Sequence, residues 1–282
     1  MSLFASNYAR LCQDIDEDNS RKNRYLRDAH KNYQKSQDQF GHLSRSSAKY
    51  LYANNGYARK KFSGLVFDAF EALSLETDAY QLTLTPRQGM RREEEAVAFR
   101  PAQLKRLVSQ RFRSLNMLGV MEAAFYPNVK DGLQKGLVCF HIHAIVWGVS
   151  RAEVDRLASA FRGDHPSFFE KRPSAYLQDI PVSDVPAVLR YQLKPPSIGY
   201  DVALTRIEEF ATRTGEVVVR YITKSGQRKR ELRMGERVRI DNCLRELTFD
   251  QLLVSTGDGR SMAEGICLRA LAEYRRSQNR KP

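Results

Sequence analysis

The sequence has no long apolar run, no signal-peptide core and no paired cysteines. No stretch approaches the ~18 to 20 apolar residues that span a bilayer, so we expect no membrane partner. The first residues soon become acidic, which predicts a cytoplasmic protein. The four cysteines include no C-x-x-C pair, which argues against a zinc finger or knuckle and favours reduced thiols.

Positive charge, by contrast, is plentiful. The 282 residues include 46 Lys and Arg against 33 Asp and Glu, which gives a formal net charge of +13. This excess favours a polyanionic partner such as nucleic acid, although many basic proteins bind nothing specific. The hydrophobic fraction of 42% is ordinary for a chain that buries a core. The composition therefore indicates a globular protein with an affinity for nucleic acid.

The chain divides by pattern into three segments. Residues 1 to about 60 are polar with a weak apolar stripe, residues 63–76 are patterned as a clearer amphipathic helix, and we predict an N-terminal helical extension over 1–76. Residues 77–200 carry regular strand and helix patterns and form the predicted central domain. Residues 201–282 are basic, with a predicted hairpin turn at Ser225–Gly226 and a terminal helix from Gly265. This basic region and the extension are candidates for DNA contacts, through phosphate neutralisation and base stacking.

The central segment predicts an α+β fold. Its predicted elements are a strand at Tyr80–Thr85, a helix at 101–115, strands at Leu118–Tyr126 and Leu137–Trp147 joined by a loop at Pro127–Gly136, a helix capped by Ser150, a strand at Ala175–Val182 and a helix at Val185–Lys194. This order is the split β-α-β pattern of ferredoxin-like and RNA-recognition-motif-like sheets. We therefore expect an antiparallel sheet with helices on one face.

Two histidines and a glutamate are the candidate metal ligands. His141 and His143 are two residues apart on a strand, so both imidazoles point to one side while Ile142 points into the core. Glu122 is the one carboxylate among apolar residues of the preceding strand, and a hairpin would bring it opposite the pair. Such a set suits a Mg²⁺ or Mn²⁺ ion acting as a Lewis acid. The alternatives are a polar strand face and a surface salt bridge.

A tyrosine and a lysine follow on one predicted helix. Tyr191 and Lys194 are three residues apart, so they share a helix face. A phenol has a pKa near ~10 and is a poor nucleophile at neutral pH without help. A metal that polarises a phosphate and a cation that stabilises phenolate would supply that help. The alternative is that Tyr191, one of 13 tyrosines, packs the helix onto the sheet.

Taken in order, these motifs resemble those of HUH endonucleases. In that family a hydrophobic residue separates two histidines on a strand, the preceding strand carries an acidic residue, and a Tyr-x-x-Lys motif lies downstream. Tyr80–Pro86 also resembles the family's first motif, a strand that ends in Thr-rich sequence. The resemblance covers residues 79–200, and it implies an antiparallel sheet of ferredoxin or RNA-recognition-motif type.

The resemblance also implies a role for each candidate residue. His141, His143 and Glu122 would hold the Mg²⁺ or Mn²⁺ ion, Tyr191 would be the nucleophile, and Lys194 would assist at the scissile phosphate. The tyrosine would attack single-stranded DNA, leaving a 5′-phosphotyrosine link and a 3′-OH that can prime synthesis. Because the link retains the energy of the bond, rejoining needs no ATP.

The order of the motifs narrows the family branch. A histidine pair before the tyrosine is typical of replication initiators and related transposases, whereas relaxases place the tyrosine near the N-terminus. Two-tyrosine transposases carry a second tyrosine four residues away, where this chain has Ala187 and Pro195. We therefore favour a rolling-circle replication initiator of a plasmid or phage, with a rolling-circle-type transposase as the alternative. Tyr200 is a candidate second nucleophile.

The resemblance predicts the partners as well. We expect single-stranded DNA or an origin hairpin as substrate. Because the sequence has no G-x-x-x-x-G-K-[ST] nucleotide-binding loop, any helicase would be a separate host protein. Two further hypotheses stay open. One is a cupin-like or 2-His-1-carboxylate iron oxygenase, for which His165 is a poor third histidine ligand. The other is a non-catalytic basic DNA-binding protein, which leaves the ligand set unexplained.

Overall fold

Two long helices begin the chain. The computed structural model describes residues 2–32, 47, 49–76, 79–131, 134–169, 172–210 and 217–278. Helix α1 spans Leu3–Asn32 and α2 spans Gly56–Leu73. The side chain of Asn55 accepts a hydrogen bond from the backbone N–H of Ala58, which caps the start of α2. The N-terminal segment is thus helical over most of its described length, as the sequence predicts.

Strands and helices then alternate through the remaining described residues. The strands are β1 (Ala79–Leu84), β2 (Met90–Arg92), β3 (Asn116–Asp131), β4 (Gln134–Trp147), β5 (Ala175–Ile180), β6 (Ile198–Phe210), β7 (Val217–Glu231) and β8 (Leu253–Thr256). The helices are α3 (Glu93–Ala96), α4 (Pro101–Arg111), α5 (Arg151–Asp164), α6 (Val185–Leu193), α7 (Met234–Cys243), α8 (Phe249–Leu252) and α9 (Gly259–Gln278). The fold is therefore α+β, which confirms the predicted class.

Local sequence signals explain several boundaries. Ser150 accepts a hydrogen bond from the backbone N–H of Glu153 and caps α5, as predicted. Pro101 begins α4, where the missing N–H of proline costs nothing. Gly259 begins α9 against β3: a Cβ atom there would lie 2.0 Å from the carbonyl oxygen of Met117. Only a glycine therefore lets this helix start so close to the sheet.

Some predicted boundaries need correction. The predicted loop at Pro127–Gly136 is mostly strand, because β3 continues to Asp131 and β4 begins at Gln134. The predicted helix at 101–115 ends at Arg111, where a turn begins. The terminal helix begins at Gly259 instead of Gly265, and residues 279–282 lie outside the described residues.

One sheet carries all of the named strands. Its order is β5-β1-β4-β3-β6-β7, with β2 paired to β4 and β8 paired to β3. The neighbours are antiparallel except β3 and β6, which meet in parallel at Phe125 and Gly199. The β3–β4 register sets Glu122 opposite His141, and the β1–β4 register sets Thr83 opposite His143. These pairs fix which side chains share a face.

The predicted turn at Ser225–Gly226 is wrong. Residues 217–231 form one strand, β7, which pairs antiparallel with β6. The β6–β7 register jumps from Val202–Gln227 to Leu204–Thr223, so Ser225 and Gly226 lie at an irregularity within the strand. A glycine inside a strand often marks such a bulge rather than a turn.

Helical residues contact both faces of the sheet, not the one face that the sequence predicted. Trp147, on the face of β4 that carries the histidines, packs edge-on against Phe70 of α2. On the opposite face, the guanidinium of Arg239 in α7 lies 5.2 Å from the ring centroid of Phe125. The sequence prediction assumed only the two crossover helices and did not include α2 or α7.

Helix α1 belongs to the same hydrophobic core as the sheet. Leu11 and Ile15 are fully buried in one cluster with Phe62 of α2, Ile142 of β4 and Ile266 of α9. The three predicted segments thus contribute side chains to one core. Within the described ranges, no helix has both the length and the apolar content needed to cross a membrane.

Buried ion pairs also join α1 to α7. The ammonium of Lys22 lies 2.7 Å from a carboxylate oxygen of Asp18 and contacts the carboxylate of Asp241. Arg237 donates to Asp18 over 2.8 Å. Because these side chains are buried, removing one partner would leave an uncompensated charge. The contacts therefore hold the N-terminal helix in one position.

We expect Leu11→Ala to lower the free energy of unfolding by about 2 to 5 kcal/mol, because it leaves a cavity under α1. The matched control is Leu3→Ala on the same helix, where the side chain is 60% exposed and the expected change is within about 0.5 kcal/mol. Urea denaturation of both variants measures the difference. Equal effects would contradict the packing of α1 into the core.

Candidate metal centre

The histidine pair lies in the middle of the sheet. His141 and His143 on β4 point to one face, whereas Ile142 between them is fully buried on the other. Both histidines are also buried, with relative exposures of 6% and 7%. Strand alternation produces this arrangement directly from the His-x-His spacing. The structure therefore agrees with the predicted placement of both imidazoles.

Glu122 completes a cluster of three ligand atoms. Its Oε2 atom lies 3.6 Å from Nε2 of His141 and 3.5 Å from Nε2 of His143. The two Nε2 atoms are 3.0 Å apart. In the described part of the chain, this is the one group of three or more His, Cys, Asp or Glu side chains whose ligand atoms converge, all within 4.8 Å of one another. The three predicted ligands are thus brought together.

Hydrogen bonds on the outer ring nitrogens orient both imidazoles. Nδ1 of His141 donates to the carbonyl oxygen of Cys139 over 3.2 Å, which leaves the lone pair on Nε2. Nδ1 of His143 lies 2.9 Å from Oγ1 of Thr83 and 3.5 Å from Nε2 of Gln81. Each ring therefore directs Nε2 toward Glu122. Support of this kind is usual around metal-bound histidines.

Burial sets the charge state of the cluster. It lowers the pKa of His141 to about 4 and also lowers the pKa of His143, which the charges of His141, Lys229 and Lys194 depress further. Both imidazoles are therefore neutral near pH 7, the form that binds metal. Burial raises the pKa of Glu122 to about 7, against the opposing effect of nearby cations.

The donor set fits a divalent cation. Two nitrogens bound to one ion at about 2.1 Å and at right angles to each other would be separated by about the distance observed between the Nε2 atoms. A cation between them would satisfy both lone pairs and the half-buried carboxylate of Glu122 together. Two imidazoles and one carboxylate leave coordination positions free for a substrate. The three residues are a candidate metal site, and the donor types admit several divalent ions.

Tyr191 and Lys194 lie beside this cluster, as predicted. The ring centroid of Tyr191 is 5.7 Å from that of His143. Lys194 follows the last residue of α6, and its Nζ atom lies 4.3 Å from the centroid of the Tyr191 ring. Burial raises the pKa of Tyr191, as does the charge of Glu122, and burial lowers the pKa of Lys194. A phenol, an ammonium and the ligand cluster therefore share one site.

Contacts from the N-terminal helices fix α6. The buried guanidinium of Arg59 on α2 donates to the carbonyl oxygens of Leu193 and Ala53, over 3.1 and 2.8 Å. Arg190 on α6 donates hydrogen bonds from Nε and Nη2 to the carboxylate of Asp14 on α1. Leu193 lies between the candidate nucleophile and Lys194, so Arg59 holds the helix end that carries both. The sequence pattern gave no role to the extension at this site.

Two residues of the β6–β7 hairpin reach the same site. Tyr200 and Lys229 are directly opposite each other in the β6–β7 register. Tyr200 makes a side-chain hydrogen bond with Tyr191 that lowers the pKa of Tyr191. Nζ of Lys229 lies 6.0 Å from the Tyr191 ring centroid. Sequence reasoning missed Lys229, because its face depends on the pairing of β7 with β6; Tyr200 had been considered only as a nucleophile.

The cluster opens into a cleft of about 490 Å³. Its walls include both histidines, Tyr191, Tyr200 and Lys229. A volume of this order is typical of sites that hold small organic molecules or parts of larger ones. The two histidine ligands are thus reachable from the cleft, although the sheet buries them on the other side.

We expect Thr83→Val to weaken Mn²⁺ binding by about 10- to 100-fold, because His143 loses the hydrogen bond that orients its ring. The matched control is Thr85→Val, since Thr85 donates to the carbonyl oxygen of Pro173 and not to a ligand. Calorimetric titration with Mn²⁺ compares the two. Equal affinities in both variants would contradict the orienting role of Thr83.

This arrangement could bind an anionic substrate at a divalent ion and present a phenol to it. The neutral imidazoles and the carboxylate supply the ligands, and Lys194 and Lys229 add positive charge on the Tyr191 side.

No protein-family model, curated protein or solved structure matches this chain.

Proposed function

We propose that this protein is an HUH-type endonuclease of the replication-initiator branch, which nicks single-stranded DNA at an origin and rejoins strands. The observation that carries the proposal is the position of Tyr191. Its ring lies against His143 of the ligand cluster and under the ammonium of Lys194. A tyrosine that only packed α6 onto the sheet would need neither neighbour.

The sheet supports the proposal independently of these side chains. The order β5-β1-β4-β3, with antiparallel neighbours, is the order of a split β-α-β unit of the ferredoxin or RNA-recognition-motif type. In this order the strand that carries the histidines lies between β1 and β3, which supply Thr83 and Glu122. The resemblance stated for residues 79–200 implies the same sheet.

The proposed reaction exchanges one phosphodiester bond for another. The Tyr191 hydroxyl oxygen attacks the phosphorus of a single-stranded phosphodiester, and the bond from phosphorus to the 3′ oxygen breaks. The phenolic proton ends on the departing oxygen, which becomes a 3′-OH. The 5′ side stays attached to Tyr191 as a phosphotyrosine ester. Attack by a 3′-OH reverses the step and rejoins strands without ATP, because the number of phosphodiester bonds is unchanged.

Burial makes the phenol of Tyr191 a weaker acid, and neighbouring side chains favour its deprotonation. Desolvation raises the pKa of Tyr191, and the hydrogen bond from Tyr200 opposes that shift. Lys194 and Lys229 place two ammonium groups near the ring, where they stabilise phenolate and the charge that develops on the phosphate. His141, His143 and Glu122 would hold Mg²⁺ or Mn²⁺, which supplies Lewis-acid polarisation of the phosphate when bound.

The substrate would be single-stranded DNA or an origin hairpin, with strand separation left to a host helicase. The net charge of +13 favours such a polyanion. A rolling-circle-type transposase would use the same chemistry, and the DNA of the genetic element that carries the gene distinguishes the two. An iron oxygenase would leave Tyr191, Lys194 and Lys229 without a role.

We expect Tyr191→Phe to abolish a covalent protein–DNA adduct that the wild-type chain forms with single-stranded oligonucleotides of its own genetic element and Mn²⁺. The phenol oxygen is the only atom lost. Tyr176→Phe is the matched control, because Tyr176 lines the same cleft and is 56% exposed. Denaturing gels and mass spectrometry of the labelled peptide give the readout.

Three outcomes of that experiment would count against the proposal. An adduct that persists in Tyr191→Phe would exclude Tyr191 as the nucleophile. If mass spectrometry located that adduct on Tyr200, Tyr200 would be the nucleophile instead. An adduct that forms equally in EDTA would exclude the metal requirement. Binding without an adduct for any origin oligonucleotide would favour the non-catalytic DNA-binding hypothesis.

We expect Lys194→Met to slow adduct formation by about 10²- to 10³-fold at saturating DNA, because a cation near the developing charge is lost. Lys194→Arg should retain much of the rate, since the charge stays. Lys49→Met on the exposed surface is the control. Single-turnover kinetics measure the effect, and an unchanged rate in Lys194→Met would remove Lys194 from the catalytic set.

A further inference from the structure

The cleft extends past the metal cluster along the same sheet face. Ala124 follows Glu122 by two residues on β3, and Cys139 precedes His141 by two on β4; both line the cleft. Two residues of a strand cover about 7 Å. The cleft, about 490 Å³ in all, therefore continues past the cluster, and as a whole it has room for a group larger than a phosphate; we call the part beside Ala124 and Cys139 the second compartment.

Aromatic rings form the wall of this compartment. Tyr126 and Tyr200 stack with ring centroids 5.4 Å apart and an interplanar angle of 23°. Phe169 packs 5.1 Å from Tyr126, and Phe168 lies edge-on to Phe169 at 5.1 Å. These rings belong to a small cluster that is separate from the main core, and Phe168 and Tyr200 are the partly buried rings among them. The four rings are defined here as the aromatic wall.

The rest of the compartment is polar and positively charged. Lys229 lies opposite Tyr200 in the β6–β7 register, Ser167 accepts a hydrogen bond from the backbone N–H of Phe169, and the backbone N–H of Arg172 donates to the carbonyl oxygen of Phe169; Lys229, Ser167 and Arg172 all line the cleft. Among the described residues that line it, none is Asp or Glu. The cleft is thus complementary to an occupant that carries a flat apolar ring beside a negative charge. A nucleotide has both, whereas a lipid chain would leave the polar groups unused.

We infer that the aromatic wall binds an unpaired nucleobase of the strand whose phosphate lies at the metal cluster. This subsite rests on the proposed function and specifies how the substrate is held. Stacking on aromatic side chains tolerates every base, because each base has a π face. A base can enter the compartment only when it has left its pair and its stack, so the wall selects single-stranded over duplex DNA.

The experiment compares two strands with the same phosphate backbone. One probe is an oligothymidylate, and the other is an abasic strand of equal length; both are titrated in EDTA, so that no nicking occurs. The wild-type chain should bind the oligothymidylate about 5- to 150-fold more tightly, as expected for base–aromatic stacking. A 2-aminopurine in the first strand should lose fluorescence on binding.

Variants of Phe168 assign this preference to the wall. Phe168→Leu retains an apolar side chain but removes the ring, so the affinities for the two strands should converge and the quenching should diminish. Phe168→Tyr should keep both effects. Tyr57→Leu is the control, because Tyr57 is an exposed aromatic residue of α2 outside the cleft. Unchanged affinity for the abasic strand shows that each variant is folded.

Two results would overturn the subsite. One is equal affinity of the wild-type chain for the base-bearing and abasic strands; the other is a preference that Phe168→Leu leaves unchanged. The assay is independent of the adduct experiment. A Tyr191 adduct without base preference removes the subsite and keeps the proposed endonuclease, whereas base preference without an adduct keeps the subsite and removes the endonuclease.

Discussion

The hydrogen-bonded register of β1, β4 and β3 determines the candidate site. It sets Thr83 opposite His143 and Glu122 opposite His141, so ligand and orienting groups meet on one face without help from a loop. A slip of one residue in either pairing would move a side chain to the opposite face. Because β1, β4 and β3 are interior strands of the sheet, each is hydrogen-bonded to a neighbouring strand along both of its edges, and this pairing enforces the register. The positions of Thr83, His141, His143 and Glu122 are therefore set by the pairing of interior strands.

Electrostatics around Glu122 connect this sheet to the rest of the chain. Desolvation disfavours the carboxylate, whereas Lys194 after α6, Arg59 on α2 and Lys229 on β7 favour it, in that order. These cations come from three elements that the sequence reading assigned to three separate segments. The N-terminal helices and the β6–β7 hairpin thus contribute charge and position to a site whose ligands all lie on the sheet.

The sequence predicted the parts of the site that depend on short-range spacing. The alternation of a strand placed His141 and His143 together, and the hairpin brought Glu122 to them. The sequence alone could not predict that Lys229 reaches the site. The face of β7 on which Lys229 lies depends on the long-range pairing of β7 with β6 and on the irregularity at Ser225–Gly226. Nor could it predict Arg59, whose role depends on how α2 packs against the end of α6.

The packing of Trp147 has a spectroscopic consequence. It is the chain's single tryptophan, and it lies on the same strand and face as the histidines, edge-on to Phe70 of α2. It lies four positions beyond His143, about 13 Å along β4. Its emission therefore reports on the interface between the sheet and α2 rather than on occupancy of the cleft. Fluorescence at this one position follows detachment of the N-terminal helices during unfolding, separately from any signal of an ion or a strand at the centre.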